Sequence, residues 1–401
     1  MVLIFATNTA SAFWSQYTQP SSCKYSEILV SGVLTTIKDS RRKTRHFQIQ
    51  GNNFLCLNLQ STAYKYVNLD WLTLEPFEES SGNCTLYGFR LGKHDFYTET
   101  SESLEKWLKV LMTKTILNSF DEDYVIIKTI GKGSTATVYL AEHAESRKSY
   151  AIKAISKEII ESQESGIKNL KNEIRILREI EHENIVKLYY VYENMNFVYL
   201  VMEYLPAGSL YKRLKTEKKL DENTCARFIM KLLETLDYLH SRDIVHRDLK
   251  LENIIMVGDS NHHFKIIDFG LAYLSSATQS LKCGSPGYVA PEILYSIRYD
   301  SKIDIFSAGV ILYILLTGKH PFEGKTTEKI LKKNFECRFS VDKKISTNAS
   351  DVIKHMMEPD PEIRLTASSL LEQPWFNFVK ISSFNINQSA MMSEIGTVAI
   401  V

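Results

Sequence analysis

The stretch Ile244–Ile255 reads IVHRDLKLENII, and it decides how the rest of the chain is interpreted. It places His, Arg, Asp, Lys, Glu and Asn between two apolar ends. A buried strand cannot hide so many polar groups unless partners satisfy them. An ordinary surface loop has no need of apolar ends. The pattern therefore predicts a polar loop that short apolar strands hold rigidly, which is typical of active sites.

The composition limits the classes of protein that fit. The chain has 401 residues, enough for two or three domains with full cores. Apolar residues make up 44% and charged residues 24%, which argues against global disorder. The formal net charge of +1 gives no overall attraction to nucleic acid, so we expect no nucleic-acid partner.

The cysteines and the apolar runs indicate the compartment. Six cysteines are scattered without a CxxC pair, which argues against disulfides and zinc and favours a reducing, cytoplasmic location. The first residues, MVLIFATNTASAFW, lack the basic flank of a secretory signal. The most apolar run, Ile303–Gly318, is shorter than the ~20 residues of a membrane span, so we expect a buried helix there.

An acidic turn at Asn118–Asp123 divides the chain into two predicted domains. Before it, strand-like segments precede an amphipathic helix, Ser101–Leu117, which carries Trp107; this pattern predicts a small β-barrel or sandwich capped by one helix. Gly92 and Lys93 predict a tight hairpin turn. The predicted strands are Ile28–Ile37, Thr44–Gln50, Thr85–Leu91 and His94–Thr98.

After residue 123 a strand-rich region precedes a helix-rich one. The first contains one charged helix, Lys157–Ile180, and the second begins at about Leu210. A cleft between two such regions is a natural ligand site. Residues 377–401 are predicted to form a flexible tail. The predicted strands are Tyr124–Ile130, Ala136–Glu142, Ser149–Ile155, Val186–Tyr192 and Phe197–Glu203, with further strand-like residues around Ile244 and at Phe264–Asp268.

Two segments of the strand-rich region fit phosphate binding. Ile130–Leu140 reads IGKGSTATVYL, and its Gly131 and Gly133 let the backbone approach a phosphate, although glycine hairpins occur in many proteins. Lys153 would place an ammonium in an apolar strand, which is costly unless an anion meets it. Glu173 is a suitable partner; the alternative is a surface lysine that reaches into solvent.

Three oxygen-bearing side chains predict a metal and nucleotide site. Asp248 and Asn253 lie in the opening stretch, and Asp268 follows in IIDFG. Such groups suit Mg²⁺ that bridges to the phosphates of a nucleotide. One aspartate can position a hydroxyl nucleophile while the other groups hold the metal. The alternative is that these residues only cap helices and turns.

Together these segments resemble the protein kinase family. GKGSTATV, AIK, NEIRIL, HRDLKLEN, DFG and APE occur in the order and approximate spacing of the protein-kinase signatures, over residues 124–376. The resemblance implies the fold class α+β, as a bilobal kinase fold with a β-rich small lobe and an α-rich large lobe. Lys250 and CGSPGYVAPE are similar to serine/threonine kinases, and the large lobe is most similar to the calcium/calmodulin-dependent kinase group.

The resemblance implies catalytic roles for four residues. Asp248 would accept or orient the substrate hydroxyl, and Lys250 would neutralise the transferring phosphoryl group. Lys153 would hold the α- and β-phosphates of ATP and pair with Glu173. The acceptors would be serine or threonine residues of protein substrates.

It also implies ATP and Mg²⁺ as cofactors. Asn253 and Asp268 would bind the metal. Ile130 and three other residues would sandwich the adenine base, and backbone groups after the gatekeeper Met202 would bind its edge. The predicted nucleotide-binding residues are Ile130, Gly131, Lys132, Gly133, Ser134, Val138, Ala151, Lys153, Met202, Glu203, Leu205 and Ile255.

Three supporting contacts follow from the same resemblance. Asp304 resembles the residue that braces the catalytic loop. Glu292 and Arg364 resemble the buried ion pair of the large lobe. Ser285 stands in a place usually taken by threonine, where its hydroxyl could bridge the catalytic aspartate and lysine.

Some positions depart from the family pattern. Relatives that prefer basic substrates carry a glutamate where this chain has Ser209, so the preference stays open, although Glu252 is available. Leu281 stands where many relatives carry a phosphothreonine that would pair with Arg247. We therefore expect activation to depend on phosphorylation of Ser280 or on none. No EF-hand loop is present, so we expect no direct calcium binding.

Residues 26–118 resemble a pleckstrin-homology domain in their strand pattern, the KTRHF stretch and Trp107. Lys43 and Arg45 fit the K/R-x-R pair of phosphoinositide readers, but Thr36 stands where a lysine is expected in the first strand. We expect a phosphoinositide or acidic membrane surface as partner; the alternative is a solvated basic loop on a protein-interaction module. The densest basic patch of the chain comprises Lys38, Arg41, Arg42, Lys43 and Arg45.

The sequence thus predicts an ATP-dependent serine/threonine protein kinase with an N-terminal regulatory or targeting domain. The competing interpretation is a catalytically weak pseudokinase scaffold that this domain localises. The complete set of catalytic and metal-binding residues favours the enzyme. A kinase of lipids or small molecules is disfavoured by CGSPGYVAPE, which resembles a segment that docks protein substrates.

Overall fold

A computed structural model of the chain describes residues 4–5, 13–16, 27–38, 41–58, 60–81, 84–274, 283–295 and 299–379. These residues form two compact units. The N-terminal unit contains the described residues up to Lys168 together with Lys187–Tyr204. The C-terminal unit contains Asn169–Val186 and the described residues from Leu205 onward.

The first part of the N-terminal unit is an eight-stranded antiparallel sheet closed by one helix, which we call the N-terminal module. The sheet order is β1-β5-β4-β3-β2-β8-β7-β6, and helix α1 spans Ser101–Lys114. The predicted hairpin turn is confirmed, with Gly92 at a φ of +59°. The strands are β1 Ser15–Gln16, β2 Ile28–Lys38, β3 Arg41–Gln50, β4 Asn53–Leu57, β5 Ala63–Asn68, β6 Leu74–Ser81, β7 Cys84–Leu91 and β8 His94–Thr98.

Aromatic side chains form the core of the module. Trp107 of α1 is buried and meets Phe54 edge-on, with ring centroids 5.8 Å apart. Phe54 also stacks on Phe47 at 5.2 Å. Aromatic pairs in these arrangements add to the stabilisation that burial provides. The predicted β-structure closed by a tryptophan-bearing helix is therefore present, while its identity as a pleckstrin-homology domain stays a prediction.

Four basic residues of the module lie on strands, where the sequence predicted a loop between Ile37 and Thr44: Lys38, Arg41, Arg42 and Lys43. Cross-strand pairing continues as far as Lys38 opposite Arg41, so Arg41 through Arg45 belong to β3. The pairing extends past the buried core, which begins on this strand at Phe47. An exposed strand end can carry charged side chains because water solvates them.

The second part of the N-terminal unit is a five-stranded antiparallel sheet in the order β12-β13-β11-β10-β9. The single helix predicted for Lys157–Ile180 is instead two helices, α3 Lys157–Glu161 and α4 Gly166–Glu179. The backbone at Gly166 passes so close to the Ile160 carbonyl that a Cβ would lie 2.1 Å from its oxygen. The strands are β9 Tyr124–Lys132, β10 Ala136–His143, β11 Ser149–Ser156, β12 Leu188–Glu193 and β13 Phe197–Glu203.

Ile116 and Leu117, which we call the linker, join the two sheets of this unit through backbone hydrogen bonds. On one side, the Leu74 amide donates to the Ile116 carbonyl at 2.8 Å. On the other, Leu117 donates to Val191 at 2.9 Å and accepts from the Glu193 amide at 2.8 Å. Because β12 is the edge strand of its sheet, the linker covers that edge.

Side chains also connect the module to the five-stranded sheet, and we call this region the junction. Phe120, in helix α2 (Phe120–Asp123), stacks on Tyr199 with centroids 3.9 Å apart. The Tyr192 hydroxyl donates to Asp123 at 2.6 Å. One hydrophobic cluster runs from Leu34 of the module to Val201 of the five-stranded sheet. The two parts of this unit therefore share a core.

The junction also contains a buried ion pair. Lys157 Nζ lies 2.9 Å from Glu193 Oε1, and both side chains are almost fully buried. The backbone amides of Ile4 and Phe5 donate to the same carboxylate, and Phe5 stacks on Trp71 of the module at 5.3 Å. Buried charges need such partners. This contact was not predicted from the sequence.

The C-terminal unit is mainly helical. Helix α8, the apolar run noted in the sequence, is buried along almost its whole length as predicted. None of the helices in the described ranges is long and apolar enough to cross a membrane. The remaining elements are α5 Leu210–Glu217, α6 Glu222–His240, β14 Ile244–Val245, β15 Ile254–Met256, β16 Phe264–Ile266, β17 Tyr273–Leu274, α7 Pro291–Leu294, α8 Lys302–Thr317, α9 Thr327–Glu336, α10 Thr347–Met356 and α11 Ala367–Leu371.

Candidate active site

Two short strands hold the polar stretch that opened the sequence analysis, and we call Ile244–Ile255 the catalytic loop. At its start, Ile244 and Val245 form β14, which pairs with β17. At its end, β15 pairs with β16, with Ile254 opposite Ile266. The apolar ends of the stretch are buried. The predicted polar loop between short apolar strands is confirmed.

Within this loop, Asp248 is the centre of a hydrogen-bond network. Its Oδ1 accepts a hydrogen bond of 2.7 Å from the Ser285 hydroxyl. Its Oδ2 accepts from Lys250 Nζ at 2.6 Å and from Asn253 Nδ2 at 3.1 Å. Lys250 Nζ also donates to Ser285 Oγ at 2.8 Å. The serine hydroxyl therefore bridges the aspartate and the lysine, where the sequence had predicted it.

The segments that carry Asn253 and Asp268 meet because Asn253 directly precedes β15, Asp268 follows β16, and these two strands pair. The Ile267 amide donates to the Asn253 carbonyl at 2.9 Å, which brings the residue before Asp268 to the catalytic loop. Since Asn253 Nδ2 donates to Asp248, the amide oxygen of Asn253 is the atom that could ligate a cation. Asp268 has a φ of +66°, a strained backbone conformation often found at functional sites.

These donors fit a hard divalent cation. Carboxylate and amide oxygens are ligands of Mg²⁺, which binds few protein groups and completes its coordination with phosphates and water. Within the described ranges, no cluster of three or more His, Cys, Asp or Glu residues could hold a metal by itself. Asn253 and Asp268 each provide an oxygen of this kind.

The buried Asp304 braces the backbone of the catalytic loop. Its carboxylate accepts hydrogen bonds from the amides of His246, at 2.8 Å, and Arg247, at 2.9 Å. Burial alone would raise the pKa of Asp304, but hydrogen bonds from His240 and from the His246 amide outweigh that effect and lower the pKa. The brace is therefore an ionised carboxylate at neutral pH.

His246 contributes a second brace. It is fully buried, and its Nδ1 accepts a hydrogen bond of 3.2 Å from the Asp248 amide. Its Nε2 lies 3.3 Å from the Ile267 carbonyl, so the ring fits the neutral tautomer with the proton on Nε2. The imidazole thus links the backbone of Asp248 to the strand that precedes Asp268. No role had been predicted for this histidine.

The C-terminal unit contains the Glu292–Arg364 ion pair that the resemblance implied. Arg364 donates to Glu292 through two nitrogens, at 2.6 and 3.0 Å, and both side chains are buried. Arg364 Nε also donates to the Glu358 carbonyl at 2.7 Å. Such bidentate geometry satisfies both charges where water is absent.

In the N-terminal unit, the glycine-bearing segment is a hairpin between β9 and β10. Gly131 lies opposite Val138, and the Gly133 amide donates to the Ala136 carbonyl at 2.8 Å. Ile130, Lys132 and Ser134 belong to the same hairpin. Backbone amides in such a turn can approach phosphate oxygens.

One face of the five-stranded sheet carries most of the other predicted nucleotide-binding side chains. Lys153 lies opposite Val138, and Ala151 lies opposite Met202. Because Ala151 and Lys153 are two residues apart on β11, the four side chains share a face. Glu203 follows at the end of β13.

Several predicted pairings involve residues of both units, and these pairings stay predictions. Lys153 belongs to the N-terminal unit, whereas Glu173, buried on α4, belongs to the C-terminal unit, as do Leu205 and Ile255. Ile255 lies on β15. The predicted phosphorylation position Ser280 and its neighbour Leu281 lie outside the described residues.

Comparison with known proteins agrees with this geometry. The family model described as the protein kinase domain matches residues 124–376, which is more than half of the chain. A probable serine/threonine-protein kinase 2 of Plasmodium falciparum is 40% identical over 263 residues, which are 64% of this chain and 51% of that protein.

Two further relatives have a similar sequence identity to this chain. The calcium/calmodulin-dependent protein kinase type 1 of Caenorhabditis briggsae is 38% identical over 65% of this chain and 74% of its own length. The serine/threonine-protein kinase cds1 of Schizosaccharomyces pombe is 37% identical over 66% of this chain and 60% of its own length. The chain thus spans only about half of the Plasmodium relative. The family match and the geometry of the catalytic loop agree, and the chain belongs to the protein kinase domain family.

Proposed function

We propose that the protein is an ATP-dependent serine/threonine protein kinase that transfers the γ-phosphoryl group to protein hydroxyls. The observation that carries this proposal is the network around Asp248, in which Lys250 and Ser285 fix both carboxylate oxygens. A serine hydroxyl of the chain itself already donates to Asp248 at 2.7 Å. The carboxylate is thus able to orient a hydroxyl at this distance.

Catalysis of this reaction depends mainly on positioning and charge stabilisation. Asp248 would orient the acceptor hydroxyl and take up its proton, while Lys250 would stabilise charge on the transferring group. Asn253 and Asp268 would hold a divalent cation, which we propose is Mg²⁺ and which would neutralise phosphate charge when bound. Lys153 would hold the α- and β-phosphates and pair with Glu173.

The test is phosphoryl transfer by the full-length protein. Purified protein receives labelled ATP, Mg²⁺ and a library of serine- and threonine-containing peptides. We expect labelled peptide from the wild type and none above background from Asp268→Asn, because the variant loses a metal-binding carboxylate. A wild type that transfers no more label than Asp268→Asn would instead support the scaffold interpretation.

For the N-terminal module we propose binding to a phosphoinositide or acidic membrane surface, which would recruit a cytoplasmic enzyme. The supporting observation is the geometry of β3. Lys43 and Arg45 are exposed and share a face, and Lys43 lies directly opposite Thr36 on β2. Anionic surfaces attract basic residues by about 1 kcal/mol each.

Sedimentation with liposomes tests this second proposal. Vesicles containing a phosphoinositide are compared with vesicles of neutral lipid, using the wild type and the double variant Lys43→Ala/Arg45→Ala. Lys106→Ala/Lys109→Ala provides the control, since it removes the same charge from exposed positions on α1 of the same module. We expect only the β3 variant to lose binding; equal binding by all three proteins would contradict the proposal.

A further inference from the structure

The side chain of Arg247, next to the central Asp248, is held by groups from two other segments. Its Nε donates to the Leu271 carbonyl at 2.5 Å, and its Nη1 donates to the Tyr299 hydroxyl at 3.1 Å. The guanidinium carbon lies 4.5 Å from the ring centroid of Tyr273, which is a cation–π distance. We call Arg247, Tyr273 and Tyr299 the arginine clamp.

The clamp connects three parts of the chain: the catalytic loop, the segment after Asp-Phe-Gly and the residues just before α8. Tyr273 lies on β17, opposite Val245 of β14, three residues after Gly270 of the Asp-Phe-Gly segment. Tyr299 lies just before α8, whose Asp304 accepts hydrogen bonds from the backbone of the catalytic loop. The beginning of α8 therefore holds the loop twice, through the backbone and through the Arg247 side chain.

The Tyr299 hydroxyl has a second neighbour. It lies 3.7 Å from Cys283 Sγ, two residues before Ser285, which donates to Asp248. Burial raises the pKa of the Tyr299 hydroxyl, so this group is neutral and can accept the arginine hydrogen bond at physiological pH. The Tyr299 oxygen thus contacts both Arg247, the residue before Asp248, and Cys283, in the segment that carries Ser285.

The backbone of Arg247 is strained, and the contacts of the arginine clamp can hold it in this conformation. Arg247 has a φ of +68°, an uncommon conformation for a residue with a side chain. Such conformations persist only when surrounding contacts enforce them. We propose that Tyr299 is a positioning residue for phosphoryl transfer, which acts through Arg247 to fix the placement of Asp248; this role rests on the proposed kinase function.

The first test is the variant Tyr299→Phe in the full-length protein, which removes one oxygen and keeps the ring. The variant loses the hydrogen bond to the charged Arg247, which helps to hold Asp248 in place. We therefore expect kcat to fall by about 3- to 10-fold. The KM for ATP should change by less than about twofold, since the clamp contacts the catalytic loop and not the predicted nucleotide-binding residues. Tyr295→Phe is the matched control, because Tyr295 is exposed and packs on Phe335.

A double-mutant cycle separates positioning from general stability. If Tyr299 acts through Arg247, then Tyr299→Phe should lower kcat in the wild type but have no further effect in Arg247→Ala. Arg247→Lys breaks the same hydrogen bond from the other side and should lower kcat similarly, which keeps the test valid if Tyr299→Phe folds poorly. Equal losses from Tyr299→Phe in both backgrounds, or no loss in either, would overturn the inference.

A second readout does not require enzymatic activity. Hydrogen–deuterium exchange of the peptide that covers the catalytic loop should be faster in Tyr299→Phe than in the wild type and in Tyr295→Phe. Unchanged exchange would overturn the clamp even in an active enzyme. Conversely, a wild type without transfer above Asp268→Asn but with exchange that responds to Tyr299→Phe would reject the kinase proposal and retain the clamp as a conformational device.

Discussion

The catalytic loop and the basic end of β3 are both polar stretches that continue into apolar strand residues, but they differ in what holds their side chains. In the loop, Asp248 receives hydrogen bonds from three side chains of its own unit. On β3, Lys43 and Arg45 are exposed, so water solvates their charges. Attraction to a surface needs only charge, whereas chemistry needs atoms at fixed positions.

The difference teaches which changes each region should tolerate. In the loop, one atom can alter several hydrogen bonds, because Lys250 and Ser285 also bond to each other. On β3, each cation acts nearly alone, so its contribution should be small and additive. The following predictions test that contrast, beginning with the largest expected effect.

Asp248→Asn should have the largest effect. It replaces a carboxylate oxygen by a donor group and removes the base, which in such reactions contributes about 10²- to 10⁴-fold to the rate. We expect a loss of kcat in that range with little change in the melting temperature. Steady-state kinetics with the best peptide of the library measures it, and a loss below about tenfold would show that the network around Asp248 is not the catalytic centre.

The second prediction asks whether the module that carries the basic strand is an independent body. Phe120→Ala removes a fully buried ring at the junction and should cost about 3–5 kcal/mol of unfolding free energy. Phe197→Ala is the matched control, since its ring lies farther from Tyr199, at 5.8 Å, and is more exposed.

Hydrogen–deuterium exchange along a urea titration can follow peptides of the module and peptides of the five-stranded sheet separately. We expect both signals to shift together in Phe120→Ala, because the two parts share a core. A shift of only one signal would make the module an independent domain.

The third prediction concerns pH and the brace of the catalytic loop. The lowered pKa of Asp304 means that its ionised form stabilises the fold. This contribution is present above the unfolded-state value of about 4 and is lost as the pH falls through the lower folded-state value. The stability of the wild type should therefore fall more steeply than that of Asp304→Asn between about pH 4 and pH 2.

Urea midpoints of both proteins, measured at a series of pH values across that window, give this difference. Parallel curves across that window would show that the carboxylate is not ionised in the folded state.

The smallest effect is expected at the basic strand. Raising the ionic strength from about 0.1 M to 1 M shortens the screening length from about 10 to 3 Å, so liposome binding by the wild type should fall toward that of Lys43→Ala/Arg45→Ala. Each cation should account for about 1 kcal/mol of binding free energy. Binding that resists salt would indicate a specific pocket instead of an exposed charged surface.

The sequence predicted the catalytic loop well because its function needs particular residue types at fixed spacing. Asp248, Lys250 and Ser285 meet as predicted. Tyr299 could not be predicted in the same way, because a single tyrosine carries no spacing signal and its partner Arg247 lies 52 residues away.

The fold shows the same division. Hairpins and amphipathic helices follow from local patterns, as at Gly92 and in α1. The break between α3 and α4 depends on a close backbone approach at Gly166, and the Lys157–Glu193 pair depends on burial; both are tertiary effects. The strand character of Arg41, Arg42 and Lys43 was missed because a run of charged residues usually indicates a loop.

The linker at Ile116 and Leu117 has a consequence for any shortened form of the protein. A fragment that begins at the family boundary, residue 124, would lose the partners of the Val191 carbonyl and the Glu193 amide. An uncovered edge strand readily pairs with another chain. We therefore expect such a fragment to self-associate, because it lacks the linker that covers this edge.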